Sequence, residues 1–209
     1  MTAVLYDFWR SSAAYRVRIA LNHFGIRYRA VEVDLGAGAH RQAENRARHP
    51  RGLVPTLEID GRTLTQSVAI VEYLDETRGG GLLPEGPLER ARVRAVAHAI
   101  AMDIHPVCNL TVARNAVAGG GITMEEWMQM FIPEGLAAVE RMLTEGPGGT
   151  YAYGEAVGLA DICLLPQVYN ARRWNVDLGA LPRIRAVEAA CLARPAFAAA
   201  HPDAVARAR

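Results

Sequence analysis

Two adjacent hydroxyls, Ser11 and Ser12, stand where a short apolar segment runs into an amphipathic one, in the stretch RSSAAYRVRIAL at residues 10–21. The first turn of a helix leaves about four backbone N–H groups without internal partners and carries roughly half a positive charge, so such a start can hold an anion. A serine there is equally an ordinary N-cap. The functional alternative is that one serine caps while the other hydroxyl donates to the anion. A second feature is LVP at residues 53–55, where a proline opens a strand that should be central. Proline there removes a ladder donor. Either the strand is an edge strand, or the Val54–Pro55 bond is cis and the vacated edge serves a ligand. Third, TQSVAIVEYL places Gln66 and Ser67 at the start of another helix, an ordinary cap or a second site for a carboxylate.

The elements that must carry these residues follow from periodicity. Residues 4–8 (VLYDF) read as a strand. A helix over 11–24 then puts Ala13, Val17, Ala20, Leu21 and Phe24 on one face, and Gly25 ends it. Residues 28–33, 54–59 and 62–65 read as further strands, the last two joined by an Asp60-Gly61 hairpin. A weak helical segment lies near 41–47 and a helix over 67–76. After the glycines at 79–81 the pattern changes to alanine-rich helical spacing over 88–117, 123–144, 159–171 and 182–193. The expected organisation is an α/β unit over 1–82 and an all-helical unit over 87–209.

Composition narrows the partners. The 209 residues carry 23 basic and 22 acidic side chains, so no global field points to nucleic acid or an anionic membrane. No stretch reaches the ~18 apolar residues of a membrane span, and a cytoplasmic protein is expected. Cys108, Cys163 and Cys191 lack CxxC spacing and read as core packing in a reducing compartment. The scattered histidines form no HExxH-type pair, so no metal is expected.

Taken together, the motifs resemble one family. The N-terminal half is similar to the thioredoxin-like domain of glutathione transferases, and RSSAAYRVRIAL resembles the SSCxxRVRIAL motif of their zeta class, which includes the maleylacetoacetate and maleylpyruvate isomerases. The resemblance continues through LVP, TQSVAIVEYL, DIHPVCNL (103–110), GLADICLLPQV (158–168) and NARRWNVDL (170–178). It implies glutathione as cofactor, with Ser11 donating to its sulfur and Ser12 supporting that site. It further implies that the Val54 backbone, before a cis Pro55, pairs with the cysteinyl part, that Gln66 and Ser67 hold the γ-glutamyl carboxylate, and that His40 reaches the glycyl end. His105 and Asn109 contact glutathione or substrate in relatives. Arg10 and Arg173, with Asn109, are the implied acceptor-binding residues, two guanidiniums suiting a dianion. Asp161 is assigned to folding through a helix-capping box whose hydroxyl partner is replaced by Gly158. Relatives are homodimers, which is the expectation for this chain.

A free thiol with a pKa of roughly 8.5 is only a few per cent ionised at neutral pH. A helix terminus contributes up to ~2 kcal/mol and a charge-assisted hydrogen bond roughly 1.5–3, enough together to lower such a pKa by about two without a base. Departures from the family pattern sharpen the reading. Ala13 replaces the cysteine on which dehalogenating relatives depend, which argues against that activity. Leu110 stands where some maleylpyruvate enzymes carry a third arginine, which argues against that particular substrate. The implied reaction is cis–trans isomerisation of a maleyl-type diketo acid. The alternatives are conjugation of glutathione to an electrophile and glutathione binding without turnover.

Overall fold

The structure is a computed structural model describing residues 2–208, and the chain divides into two compact units, Met1–Gly80 with Ala193–Arg209, and Gly81–Leu192. The division between the units falls within the glycines at 79–81. The tail of the expected 87–209 unit, however, packs with the N-terminal unit.

The N-terminal unit is built on a four-stranded mixed sheet in the order β2-β1-β3-β4. Strands β1 (Ala3–Asp7) and β2 (Tyr28–Glu32) are parallel, so the chain must cross between them, and helix α1 (Ser12–His23) is that crossover. Strand β3 (Thr56–Ile59) is antiparallel to β1 and to β4 (Arg62–Thr65). The β3–β4 turn is made by Asp60 and Gly61, both at positive φ (53° and 71°), as a tight Asp-Gly hairpin requires. The Val54–Pro55 peptide is cis, and β3 begins only at Thr56. The strand is therefore central, and the proline lies outside its ladder, where its missing N–H interrupts no pairing.

Helix α1 is buried from Ala14 to Leu21, including two arginines. A helix enclosed on all sides accepts charge only where that charge is paired. Arg18 Nη1 donates to both carboxylate oxygens of Asp7 at 2.8 and 2.9 Å, Nη2 to the Trp9 carbonyl at 2.8 Å, and Nε to the Ala200 carbonyl at 3.1 Å. Asn22 likewise donates to the Ala196 carbonyl. These bonds dock the C-terminal segment on the N-terminal unit and explain why packing departs from the domain boundary expected of residues 193–209. Between β2 and β3 run a 3-10 turn (Ala39–Arg41) and helix α2 (Ala43–Arg48), and α3 (Ser67–Thr77) follows β4.

The helical unit opens with α4 (Pro87–His98). The single helix expected over 88–117 is interrupted by a π-helical segment, Ala99–Ile104, a short α5 (His105–Val107) and a break before α6 (Leu110–Val117). Pro106 is the physical reason: it brings no N–H, and its ring crowds the carbonyl one turn earlier. Helices α7 (Met124–Thr144), α8 (Leu159–Arg173) and α9 (Pro182–Leu192) complete this unit. Two short helices, α10 (Pro195–Ala200) and α11 (Pro202–Arg207), belong to the docked C-terminal segment and lie beyond the last helix the periodicity marked. All three cysteines are buried and free. Among the described residues no helix is long and apolar enough to cross a membrane, and no group of His, Cys, Asp and Glu could hold a metal ion.

Candidate functional site

Strand register brings the N-terminal candidates to one end of the sheet. Tyr6, Thr56 and Thr65 form one cross-strand row, and β2 ends beside β1 at Glu32. The chain therefore leaves the sheet at this same end toward residues 8–12, toward the His40 turn and toward Gln66 and Ser67, and enters it there from Val54 and Pro55. Four segments far apart in sequence converge because three strand pairings fix where each one ends.

Ser11 is the N-cap of α1: its backbone is extended, and its Oγ accepts from the Ala14 N–H at 3.2 Å. The cap and the proposed sulfur ligand are thus one residue, where the sequence had offered one serine for each task. A hydroxyl can do both, accepting through oxygen while its own hydrogen donates. No described residue takes that hydrogen, and the amides of Ser12 and Ala13 likewise have no acceptor among the described residues. Ser12 is the first residue of the helix, half-buried like Ser11. Arg10 is exposed, its guanidinium 5.0 Å from the centre of the Trp9 ring, which holds it in a cation–π contact.

At the second helix start, Gln66 takes φ 68° and ψ 108°, a backbone conformation that side-chain-bearing residues rarely adopt and that is found at ligand sites. Its side chain makes no capping bond and is exposed. Ser67 is buried, and its Oγ accepts from Arg16 Nη1 at 3.2 Å, so here too the hydroxyl hydrogen remains to be donated. Val54 is half-buried ahead of buried Pro55, and His40 is half-buried in the 3-10 turn.

The helical unit holds the other candidates. His105 is the first residue of α5. Asn109 caps α6, its Oδ1 accepting from the Thr111 N–H at 2.9 Å, which leaves its amide hydrogens for another acceptor. The two neighbouring arginines at the end of α8 make different contacts. Arg172 is committed to Glu188, Nε to Oε1 at 2.7 Å and Nη2 to Oε2 at 2.5 Å, a bidentate pair that raises the arginine pKa. Arg173 instead lies 4.6 Å from the Trp174 ring centre. Each candidate acceptor-binding arginine is thus stacked on the tryptophan adjacent to it in sequence.

The groups without a chemical role are equally clear. Burial pushes the Cys108 thiol up to about 11, so this cysteine is no nucleophile at neutral pH. Asp161 is buried at the start of α8, accepting from the Gly158 N–H and the Ala152 N–H, both at 2.8 Å. The carboxylate half of the capping box is in place, and a Cβ at Gly158 would sit 3.1 Å from the Leu82 carbonyl, which bonds the Leu159 N–H. Burial is the largest influence on Asp161 and lifts its pKa to about 6 despite the amides that favour its anion.

Motif reading missed Arg16, Arg18 and Asn45. The arginines left a signal, two charges among apolar positions of α1. Asn45 left none, because its partners are main-chain carbonyls that only the fold brings near.

Known proteins resemble this chain in sequence and in fold. Residues 1–76 match the glutathione S-transferase N-terminal domain. A maleylacetoacetate isomerase from Rhizobium meliloti (strain 1021) is 59% identical over 204 residues, covering 96% of each chain. The holo structure of a maleyl pyruvate isomerase, a bacterial glutathione S-transferase of the zeta class, has a TM-score of 0.91 and 40% identity, covering 96% of this chain and 97% of its own. The crystal structure of a maleylacetoacetate isomerase from Anaeromyxobacter dehalogenans 2CP-1, with dicarboxyethyl glutathione and citrate bound in the active site, has a TM-score of 0.87 and 43% identity, covering 97% and 95%.

Proposed function

The chain belongs to the glutathione S-transferase family, among the zeta-class maleylacetoacetate and maleylpyruvate isomerases, and we propose that it is a glutathione-dependent cis–trans isomerase of a maleyl-type diketo acid. The carrying observation is Ser11: one residue caps α1 and keeps its hydroxyl hydrogen for the glutathione sulfur, beside two open helix amides. That environment favours thiolate over thiol.

In the proposed reaction the thiolate adds to a carbon of the activated cis double bond, forming a C–S bond while the π electrons move onto the adjacent carbonyl as an enolate. Rotation about what has become a single bond follows. The enolate then collapses, the C–S bond breaks, and the trans isomer and the thiolate are released. No proton, electron or atom is gained overall, and one difficult step becomes two easier ones. Val54, Pro55, Gln66, Ser67 and His40 bind glutathione, with Ser12 supporting the sulfur site and His105 and Asn109 contributing. Arg10 and Arg173 each take an acceptor carboxylate. The doubly carboxylated glutathione bound by the Anaeromyxobacter isomerase supports a dianionic acceptor.

We place the enzyme in the cytoplasm, as a homodimer, in the breakdown of aromatic compounds. Free buried cysteines suit a reducing compartment, and a two-fold pair is the default assembly. The test is an assay of maleylacetoacetate, maleylpyruvate and a chlorinated electrophile, each with and without glutathione. Isomerisation of a maleyl acid only when glutathione is present supports the proposal. Turnover of the electrophile alone, with no isomerisation, replaces it with conjugation.

A further inference from the structure

Asn45, in α2, is buried with only 3% of its surface exposed, and it lies outside every motif that nominates the site. Its Nδ2 donates one hydrogen to the His40 carbonyl at 3.0 Å and the other to the Leu53 carbonyl at 3.2 Å. Both partners are acceptors, so the amide nitrogen must face them. The two carbonyls border segments assigned to adjoining parts of glutathione: His40 to the glycyl end, and Leu53, immediately ahead of the Val54–Pro55 peptide, to the cysteinyl part. A second, independent constraint acts on the same carbonyl. Gly52 has φ 60°, and a Cβ there would lie 2.7 Å from the His40 oxygen, so only a glycine lets the two segments approach this closely. The loop is closed by bonds from the His49 N–H to the Asn45 carbonyl at 2.8 Å and from the Gly52 N–H to the His49 carbonyl at 2.7 Å.

We propose that Asn45 is a positioning residue for glutathione, a buried amide that fixes the distance between the His40 turn and the Leu53–Val54 segment and so sets the two grips to the spacing of the cysteinyl and glycyl residues. This rests on the glutathione reading above, and touches the sulfur chemistry only through where the cofactor lies. Asn45→Asp keeps the shape but turns two donors into acceptors facing carbonyls. Losing the two bonds raises the KM and Kd for glutathione about tenfold or more, with kcat at saturating glutathione held within about twofold.

The experiment measures the glutathione Kd by calorimetry and the KM and kcat by turnover, for the parent, Asn45→Asp and Asn45→Gln, the last keeping the donors and recovering part of the affinity. A glutathione Kd unchanged in Asn45→Asp, or an equal loss in kcat, overturns the proposal and leaves Asn45 a packing residue. Hydrogen exchange on the parent protein provides a test that needs no variant. Glutathione is expected to slow the amides of residues 39–41 and 52–54 together, and protection of only one segment contradicts the coupling. A parent protein that binds no glutathione overturns the glutathione reading itself, an outcome distinct from a parent that binds and a variant that binds equally well.

Discussion

Arg16 Nη1 donates to Ser67 Oγ across 3.2 Å, both side chains buried, and this bond decides which way the serine hydroxyl can point. With a lone pair occupied from behind, Ser67 offers its hydrogen outward from the start of α3, where the γ-glutamyl carboxylate is assigned. Arg16→Lys and Ser67→Ala should each raise the glutathione KM about tenfold, and the double variant should lose less than the product of the two. Three KM values decide this. Simple multiplication of the effects would mean that the arginine acts on the fold alone.

Ser11→Ala removes a cap and the proposed thiolate donor together, and the two losses separate by readout. The cap is worth about 1 kcal/mol of stability, read as a lower melting temperature. The donor to a charged sulfur is worth roughly 1.5–3 kcal/mol, about a 10- to 150-fold loss in kcat/KM. Ultraviolet absorbance of the bound thiolate should then titrate at higher pH in the variant. An unshifted titration would place the sulfur elsewhere.

The two arginines ending α8 should respond oppositely. Arg172→Ala breaks the pair with Glu188, where the arginine side chain is 54% exposed and screened by water. It should cost only about 0.5–1 kcal/mol of stability and leave acceptor KM unchanged. Arg173→Ala should raise acceptor KM about tenfold or more, the loss of the proposed charge-assisted contact. Steady-state kinetics beside calorimetric melting check both. A raised acceptor KM in Arg172→Ala alone would exchange their roles.

Asp161 predicts a pH dependence of stability. Its folded pKa, lifted by burial from 3.8 to about 6, exceeds the unfolded value, so the folded state holds the proton more tightly. The resulting stabilisation is fully present below about pH 4 and is lost as pH rises through about 6, a span of roughly 3 kcal/mol. Denaturant unfolding of the parent and Asp161→Asn between pH 4 and 7 should show this slope in the parent only. The same slope in both proteins would assign it to other groups.

What the sequence made legible was local. The turn at Asp60-Gly61, the stop at Gly25 and the helix starts at Ser11 and Ser67 are set by residues within a turn of each other, and they fall where their chemistry demands. The helical spacing over 88–117 did not reveal the six-residue π segment that precedes Pro106, because a hydrophobic period does not distinguish one helical hydrogen-bond pattern from another. Residues 195–207 leave the helical unit because a buried arginine in α1 reaches the Ala200 carbonyl, 182 positions away in sequence. The candidate site can be read from the sequence where side chains would carry it, at Ser11, Gln66 and Ser67. It was hidden where side chains hold the backbone, at Asn45, Arg16 and Arg18.

If glutathione is a coenzyme, it is not consumed, and one reaction followed by proton NMR with parallel thiol titration tests this. With glutathione far below a maleyl-type diketo acid in concentration, complete conversion of cis to trans isomer and full recovery of the free thiol are expected. Product halting at one equivalent of glutathione, with the thiol lost into a stable adduct, would contradict it.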